Sequence, residues 1–335
     1  MSYEFNSQLS SVLIAFMKKV KAESAESTAV KYQIILNNFD GFLCSEGFSS
    51  QFLPDSLLAD WICSLSGLSN NTIVVYETAV SRFLDFAKAF GISSHMPPVM
   101  KWRDEYQPEL FSREDIDTLC RIADNYTVDH NKKLPWVTVE IPMIIRLLFG
   151  CGLRLSETLE IQMRDINLKL GVITMRRTKR SKERLVPMTS ERTDILHRYC
   201  MAIGAVGNPD YYIFPSDSFS NHLTKMNVYH RFCKILKECG LSSRRTKKNE
   251  RKLCIHCIRH SFVVYAIKHL RSQGISIDDT FPYLSVYMGH ATLYDTQKYM
   301  KFSAELFPEE TSRFDSYSTD VYACRIFHLD DEVWE

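Results

Sequence analysis

Arg154 stands at a point in the chain where a phosphate group could be bound. It lies between Gly152, which interrupts an apolar helical pattern, and Ser156-Glu157, which begins a new helix with an acid in its first turn. Free N–H groups at a helix start face anions, and a guanidinium can hold a phosphate through two parallel hydrogen bonds. Taken alone, the motif also fits a surface arginine paired with Glu157.

A second cluster, His256-Cys257-Ile258-Arg259-His260, combines a cation with possible proton carriers. Residues i and i+3 of a helix share a face, so Arg259 could hold a phosphate while His256 handles a proton. Two alternatives stay open. The two histidines could bind a metal with Cys254 and Cys257, although the glutamate of an H-E-x-x-H site is absent, or they could be buried core residues.

A third piece pairs Gly289-His290 with Tyr299, a possible nucleophile nine residues after the histidine. Nine residues make about two and a half helical turns, so the two side chains would face apart on one unbroken helix. Gly289 can end the first helix, and Thr292 or Asp295 can cap a second, short one that carries Tyr299. With 16 tyrosines in the chain, only its place in the set makes this one a candidate.

A basic hairpin provides the fourth piece. Residues 172–176 and 184–188 have the pattern of two strands, and the turn at 178–182 between them contains Lys179. A lysine at such a tip could reach a leaving oxygen or make a non-specific phosphate contact.

The elements that must position these groups are mainly α-helical. Residues from about 8 to 92 show apolar side chains at three-and-four spacing, which predicts a helical module. Two adjacent prolines, Pro97 and Pro98, mark a linker, and Ser112 begins a second domain with a capping-box pattern completed by Asp115. The 172–188 hairpin is the only predicted sheet.

Charge is unevenly distributed. The net charge is +1, yet residues 303–335 hold nine acidic and two basic residues. The remaining chain is therefore basic, which suits a polyphosphate partner, although a solvated charged face is the alternative. Candidate nucleic-acid contacts lie in two basic clusters: Arg176, Arg177, Arg180, Lys182, Arg244, Arg245, Lys247 and Lys248.

Together these pieces resemble the tyrosine recombinase, or phage integrase-like, family. The chain has four motifs that look similar to the signatures of that family and occur in the same order: Gly-Leu-Arg-Leu-Ser-Glu, Ser-Lys-Glu-Arg-Leu-Val-Pro, His-Cys-Ile-Arg-His and Met-Gly-His followed by Tyr299. The resemblance covers about 110–302. It implies an N-terminal helical core-binding (SAM-like) DNA-binding domain at 1–95, a linker at 96–108 and a catalytic domain at 109–302. The 303–335 tail, acidic but with several apolar residues, is expected to contact a neighbouring subunit.

The resemblance also implies catalytic roles. Tyr299 would attack DNA and form a 3′-phosphotyrosyl link, Arg154 and Arg259 would clamp the phosphate, and His290 would donate a hydrogen bond to it. His256 would act in proton transfer, and Lys179, with Lys182 as the substitute, would protonate the leaving 5′-oxygen. Glu157 would orient Arg154, and His260 would be a structural support. No cofactor, ATP or metal ion is expected, because the covalent link conserves the energy of the phosphodiester bond.

The expected partner is double-stranded DNA with a specific recombination site, bound by a homo-tetramer on synapsed duplexes. No membrane or small-molecule substrate is expected, and the chain lacks a signal-peptide layout, which favours an intracellular, DNA-associated protein. Integration, excision and transposition of a mobile element all fit. The alternatives are a DNA-relaxing enzyme of the type IB topoisomerase class and a non-catalytic architectural DNA-binding protein.

Overall fold

The computed structural model describes residues 4–94, 108–126, 134, 136–176, 183–241, 253–290 and 292–299. The chain divides into two compact units, residues 1–106 and 107–335. Among the described helices, none combines the length and hydrophobicity that a bilayer-crossing helix requires. Most of the predicted linker and all of the 303–335 tail lie outside the described residues.

Among its described residues, the N-terminal unit contains four α-helices. They are α1 (Ser10–Glu23), α2 (Glu26–Ser45), α3 (Asp55–Ser64) and α4 (Asn70–Ala87). The unit also contains two short strands that pair in parallel, β1 (Phe52–Leu53) and β2 (Ser93–Ser94). The hydroxyl of Ser69 caps α4 by accepting a hydrogen bond from the backbone N–H of Thr72. The pairing of β1 with β2 was not predicted, because two-residue strands leave no periodic pattern in the sequence.

Aromatic side chains fill the core of this unit. Phe39 and Trp61 pack edge-to-face with their ring centroids 5.0 Å apart, and both are fully buried. Phe83 joins them from α4. The indole N–H of Trp61 donates to Asn38, which satisfies the one polar atom that this large side chain would otherwise bury.

The C-terminal unit holds eight helices among its described residues. They are α5 (Arg113–Asp124), α6 (Val137–Cys151), α7 (Leu155–Leu159), α8 (Ser190–Ala202), α9 (Lys225–Glu238), α10 (Ile255–Ser272), α11 (Ile277–Met288) and α12 (Leu293–Gln297). The capping box at the start of α5 is confirmed, with Ser112 and Asp115 each bonded to the other's backbone N–H.

A three-stranded antiparallel sheet lies against these helices. Its strands are β3 (Ile166–Asn167), β4 (Val172–Met175) and β5 (Arg184–Pro187), in that order. The two longer strands confirm the predicted hairpin, whose turn lies outside the described residues. Ile173 and Val186 are cross-strand partners and both are fully buried, so one face of the hairpin belongs to the core.

Candidate active site

The turn between α6 and α7 sets the position of Arg154. The α6 helix ends at Gly152 (φ +61°), the glycine that was expected to interrupt the helical pattern. A Cβ on Gly152 would lie 2.3 Å from the ring of Phe262, so both the backbone angle and the space require glycine. This turn places Arg154 at the N-cap of α7.

The guanidinium of Arg154 is held on two sides and remains accessible. Its Nη1 donates to Glu157 Oε1 at 2.7 Å, and its Nη2 donates to the carbonyl of Gly289 at 3.1 Å. The side chain keeps 28% of its surface exposed, whereas that of Glu157 keeps 3%. Glu157 therefore orients a cation that an incoming anion can still reach.

Arg184, in β5, is a second partner of Glu157 that the sequence did not reveal as part of the site. Its Nη2 lies 2.7 Å from Glu157 Oε2, and its side chain is only 7% exposed. Burial alone would raise the pKa of Glu157, but the two guanidinium groups outweigh it and hold that pKa below its usual value. The arginine of Ser-Lys-Glu-Arg-Leu-Val-Pro was the only sequence signal for this contact.

Arg259 ties together the two turns that carry Arg154 and His290. It is 2% exposed, and its guanidinium donates to the carbonyls of Gly152 and Met288, the latter at 2.8 Å. Burial, and next the positive charge of Arg154, lower its pKa to about 10. Two cations that repel one another in a partly desolvated site favour an anion beside them.

Tyr299 follows the end of α12 and is buried among histidines. Its Oη lies 2.9 Å from His260 Nδ1, and its ring is parallel to that of His290, with 6.4 Å between the centroids. His256 packs edge-on against His260, 4.7 Å between centroids. The side chain given a structural role from sequence, His260, is thus hydrogen-bonded to the phenol.

The electrostatics of this cluster leave its imidazoles neutral. Burial lowers the pKa of His260 to about 3 and that of His290 to about 4, and the charge of Arg259 adds to both shifts. Burial, then Arg259 and Arg154, also lowers the pKa of His256, which keeps an exposed edge. At neutral pH these rings are unprotonated, so each can accept a hydrogen bond at one nitrogen and donate one from the other.

The phenol itself is protonated at neutral pH. Burial raises the pKa of Tyr299 to about 12, although the positive charges of Arg259 and Arg154 act in the opposite direction. A buried phenol that must become a nucleophile needs a neighbouring proton acceptor. The neutral Nδ1 of His260 is in place for that role.

The remaining site candidates divide between described and undescribed residues. Arg176 is half-exposed and bonded to Asp165 at 2.8 Å, at the end of β4. The others lie outside the described residues: Arg177, Lys179, Arg180, Lys182, Arg244, Arg245, Lys247 and Lys248. Within the described part of the chain, no group of three or more His, Cys, Asp or Glu side chains is arranged to hold a metal ion.

Comparison with known proteins decides the family. The model of the phage integrase family matches residues 112–305, which is more than half of the chain and includes α5 to α12. The chain belongs to the phage integrase family. It is a tyrosine recombinase, an enzyme that cleaves and rejoins DNA strands.

Relatives of this recombinase include curated proteins and solved structures. The putative integrase/recombinase y4rB of Sinorhizobium fredii is 29% identical over 218 residues, covering 62% of this chain and just under two thirds (66%) of the relative. The tyrosine recombinase XerD of Pseudomonas putida is 28% identical over 287 residues, covering 82% of this chain and 86% of that one.

Among solved structures, the post-cleavage complex of the XerH site-specific recombinase with palindromic difH substrate has a TM-score of 0.68. Its sequence is 19% identical, and the match covers 90% of this chain and 84% of that one. The likeness confirms the predicted fold class, mainly helical with a small sheet.

Proposed function

We propose that this recombinase acts at a specific DNA site and that Tyr299 is its nucleophile. One observation carries the proposal: the Oη of Tyr299 is hydrogen-bonded to His260 and lies within electrostatic reach of both Arg154 and Arg259. A phosphate that entered between the two guanidinium groups would meet the phenol directly.

These contacts support the following steps, and the role of Lys179, which lies outside the described residues, comes from the family resemblance. Tyr299 Oη attacks the phosphorus, a bond to the 3′-phosphate forms, and the bond from phosphorus to the 5′-oxygen breaks. The phenol proton passes to His260 Nδ1, and the departing 5′-oxygen takes a proton from Lys179. Arg154 and Arg259 offset the negative charge that builds on the non-bridging oxygens in the transition state. Strand joining reverses these steps with a different 5′-hydroxyl.

His290 and His256 have supporting roles. The Nδ1 of His290 is bonded to the hydroxyl of Thr296 at 2.8 Å, which fixes the ring beside Tyr299 and leaves Nε2 for a phosphate oxygen. His256 packs edge-on against His260 and lies close enough to Arg259 and Arg154 for their positive charges to lower its pKa. We propose that His256 donates a hydrogen bond to the phosphate or to His260. The proton of Tyr299 passes first to His260, so His260 takes the proton-transfer role that the sequence assigned to His256.

A nicked suicide substrate tests the nucleophile. Wild-type enzyme is expected to accumulate a covalent protein–DNA adduct, and Tyr299→Phe to lose it. The matched control is Tyr294→Phe, which removes an exposed hydroxyl from the neighbouring α12 and is expected to keep the adduct. Adduct retained by Tyr299→Phe would overturn the assignment. Cleavage at every sequence, with relaxation of any supercoiled plasmid, would favour a topoisomerase instead.

The role of His260 needs a separate test, because it can be confused with packing. His260→Ala is expected to slow adduct formation by about 10²-fold or more, the usual contribution of a positioned base. Replacing Tyr299 by a more acidic fluorinated tyrosine is expected to restore part of that rate, since the phenol then needs less help to lose its proton. A rate in His260→Ala that the fluorinated residue does not improve would leave His260 a structural role only.

Outside the active site, the N-terminal helical unit and the basic residues of the catalytic domain bind the DNA. The N-terminal unit would contact the duplex as a core-binding domain, and the clusters around Lys182 and Lys247 would contact phosphates. Charge-removing substitutions there should weaken binding to all sequences alike and reduce its salt dependence.

Strand exchange between two duplexes requires four active sites, so the functional assembly is a homo-tetramer on synapsed DNA. The 303–335 tail would dock on a neighbouring copy. Exposed apolar side chains on α11, Tyr283 (76%) and Val286 (75%), provide a candidate surface for it. Deleting 318–335 is expected to abolish tetramer formation and recombination, and unchanged assembly would refute this part. The biological role would be movement of a mobile element by integration, excision or transposition.

A further inference from the structure

Two thiols meet at the first turn of α10, next to the catalytic residues. Cys254 is the N-cap residue and Cys257 lies in the first turn, and their Sγ atoms are 3.5 Å apart. The backbone N–H of Cys254 donates to Cys257 Sγ at 3.4 Å. Both cysteines are in the reduced thiol form, with Cys257 buried and Cys254 partly accessible.

This Cys-Ile-His-Cys sequence encloses His256 and is followed two residues later by Arg259. Two cysteines separated by two residues at a helix start form the spacing of a dithiol redox pair. Disulfide bonds tolerate Cα separations of about 4.4–6.8 Å, a range that includes residues three apart in a helical turn. The turn that presents the His-x-x-Arg pair therefore holds two thiols at a separation from which a disulfide could form.

We propose that Cys254 and Cys257 form a reversible disulfide that switches the recombinase off. The oxidant is a low-molecular-weight disulfide such as glutathione disulfide. The Cys254 thiolate attacks it, forms a mixed disulfide and releases one thiol. Cys257 then attacks Cys254 Sγ and releases the second thiol. The two cysteines lose two electrons and two protons, and the small disulfide takes up both.

The environment sets this order of attack. The hydrogen bond with Cys254, followed by burial, raises the pKa of the Cys257 thiol, so Cys254 is the better first nucleophile. Once Cys254 is in a mixed disulfide, the largest cause of that shift is removed. The second thiol can then ionise and complete the bond.

Closing the bond is expected to shift the turn that carries His256. The sulfur atoms have to approach from 3.5 Å to about 2.05 Å. Cys257 Sγ then no longer lies where it accepts the N–H of Cys254, and the turn between them carries His256. A displacement of about 1 Å in a catalytic group can cost about 10²-fold in rate. The loss of activity rests on the proposed role of this His-x-x-Arg turn, whereas the disulfide itself does not.

Mass spectrometry of the full-length protein tests the bond directly. Trypsin releases both cysteines in one peptide, Leu253–Arg259, because Lys252 precedes it and Arg259 ends it. After treatment with glutathione disulfide, the peptide is expected to be lighter by the mass of two hydrogen atoms. A peptide that stays reduced, or carries only glutathione adducts, overturns the proposal.

Activity on the nicked substrate tests the switch. Oxidation is expected to slow adduct formation by about tenfold or more, and dithiothreitol to restore it. Relative to its own reduced rate, Cys254→Ser should resist the oxidant, whereas Cys257→Ser should retain glutathione as a mixed disulfide on Cys254 and form no internal disulfide. Cys233→Ser, which removes a nearby exposed thiol, should respond like wild type. Equal sensitivity in Cys254→Ser, or a disulfide without loss of rate, refutes the switch. Absent cleavage in the reduced enzyme would instead refute the proposed function.

Discussion

Replacing Glu157 with glutamine tests how far the active site depends on one buried carboxylate. Its oxygens accept from Arg154 and Arg184 at 2.7 Å each, and the Arg184 side chain is 7% exposed. An amide of the same shape offers one oxygen and turns its NH₂ toward the other guanidinium. A hydrogen bond to a charged group contributes about 1.5–3 kcal/mol, and breaking a buried ion pair costs about 3–5 kcal/mol. We expect Glu157→Gln to lower the free energy of unfolding by about 3 kcal/mol.

An exposed ion pair of the same length provides the control. Arg146 Nη2 lies 2.7 Å from Asp124 Oδ2, but the two side chains are 32% and 45% exposed. Solvent screens such a pair, so Asp124→Asn is expected to cost at most about 1 kcal/mol. Urea unfolding of both variants measures the difference. If both substitutions lowered the free energy of unfolding by the same small amount, burial would not make the Glu157 contacts stronger than an exposed ion pair.

The pH dependence has a definite sign. The folded pKa of Glu157 lies below its ordinary value of 4.5, so its stabilising effect is fully present above that pH and is lost as pH falls through the folded pKa. The gap between wild type and Glu157→Gln should therefore narrow below pH 4.5. Adduct formation at neutral pH should also slow by about 10²-fold, because Arg154 loses its orienting partner. An unchanged rate would contradict that part of the argument.

Two further substitutions test other parts of the catalytic domain. Gly289→Ala places a Cβ 2.8 Å from the guanidinium of Arg184 at a φ of +61°. It should slow adduct formation more than Gly204→Ala, where φ is +75° but nothing lies within 4 Å, and equal effects would mean that only the backbone angle matters. Burial raises the pKa of Glu140, on α6, to about 9, so wild-type stability falls as pH rises from 4.5 toward that value. Glu140→Gln should thus be more stable by about 3 kcal/mol near pH 7 and equal at pH 4 in urea unfolding, and a pH-independent difference would contradict this.

Local features of the fold could be predicted because they depend on neighbours in sequence. The Ser112 box joins residues three apart, and Gly289 ends α11 in the left-handed conformation that few other residues adopt. The possible roles of Arg154, Arg259 and Tyr299 could also be predicted, because they follow from the chemistry that each residue type can perform. The family model matches the segment that contains all of them.

Contacts between distant segments could not be predicted in this way. His256 and His260 share a helical face, so the sequence does not say which one meets the phenol, and only the placement of α12 against α10 answers that. The same holds for Arg184, which looks like an ordinary basic residue on a strand until the packing of β5 brings it to Glu157.

The sequence by itself therefore determined the kinds of side chain available to bind and attack a phosphate, and the order in which they occur. Tertiary structure decided which of them touch, which are desolvated and which carry a proton. The physical reason is that pairing, burial and the resulting pKa shifts depend on distances between atoms far apart in the chain. Those distances are set by packing of the whole domain.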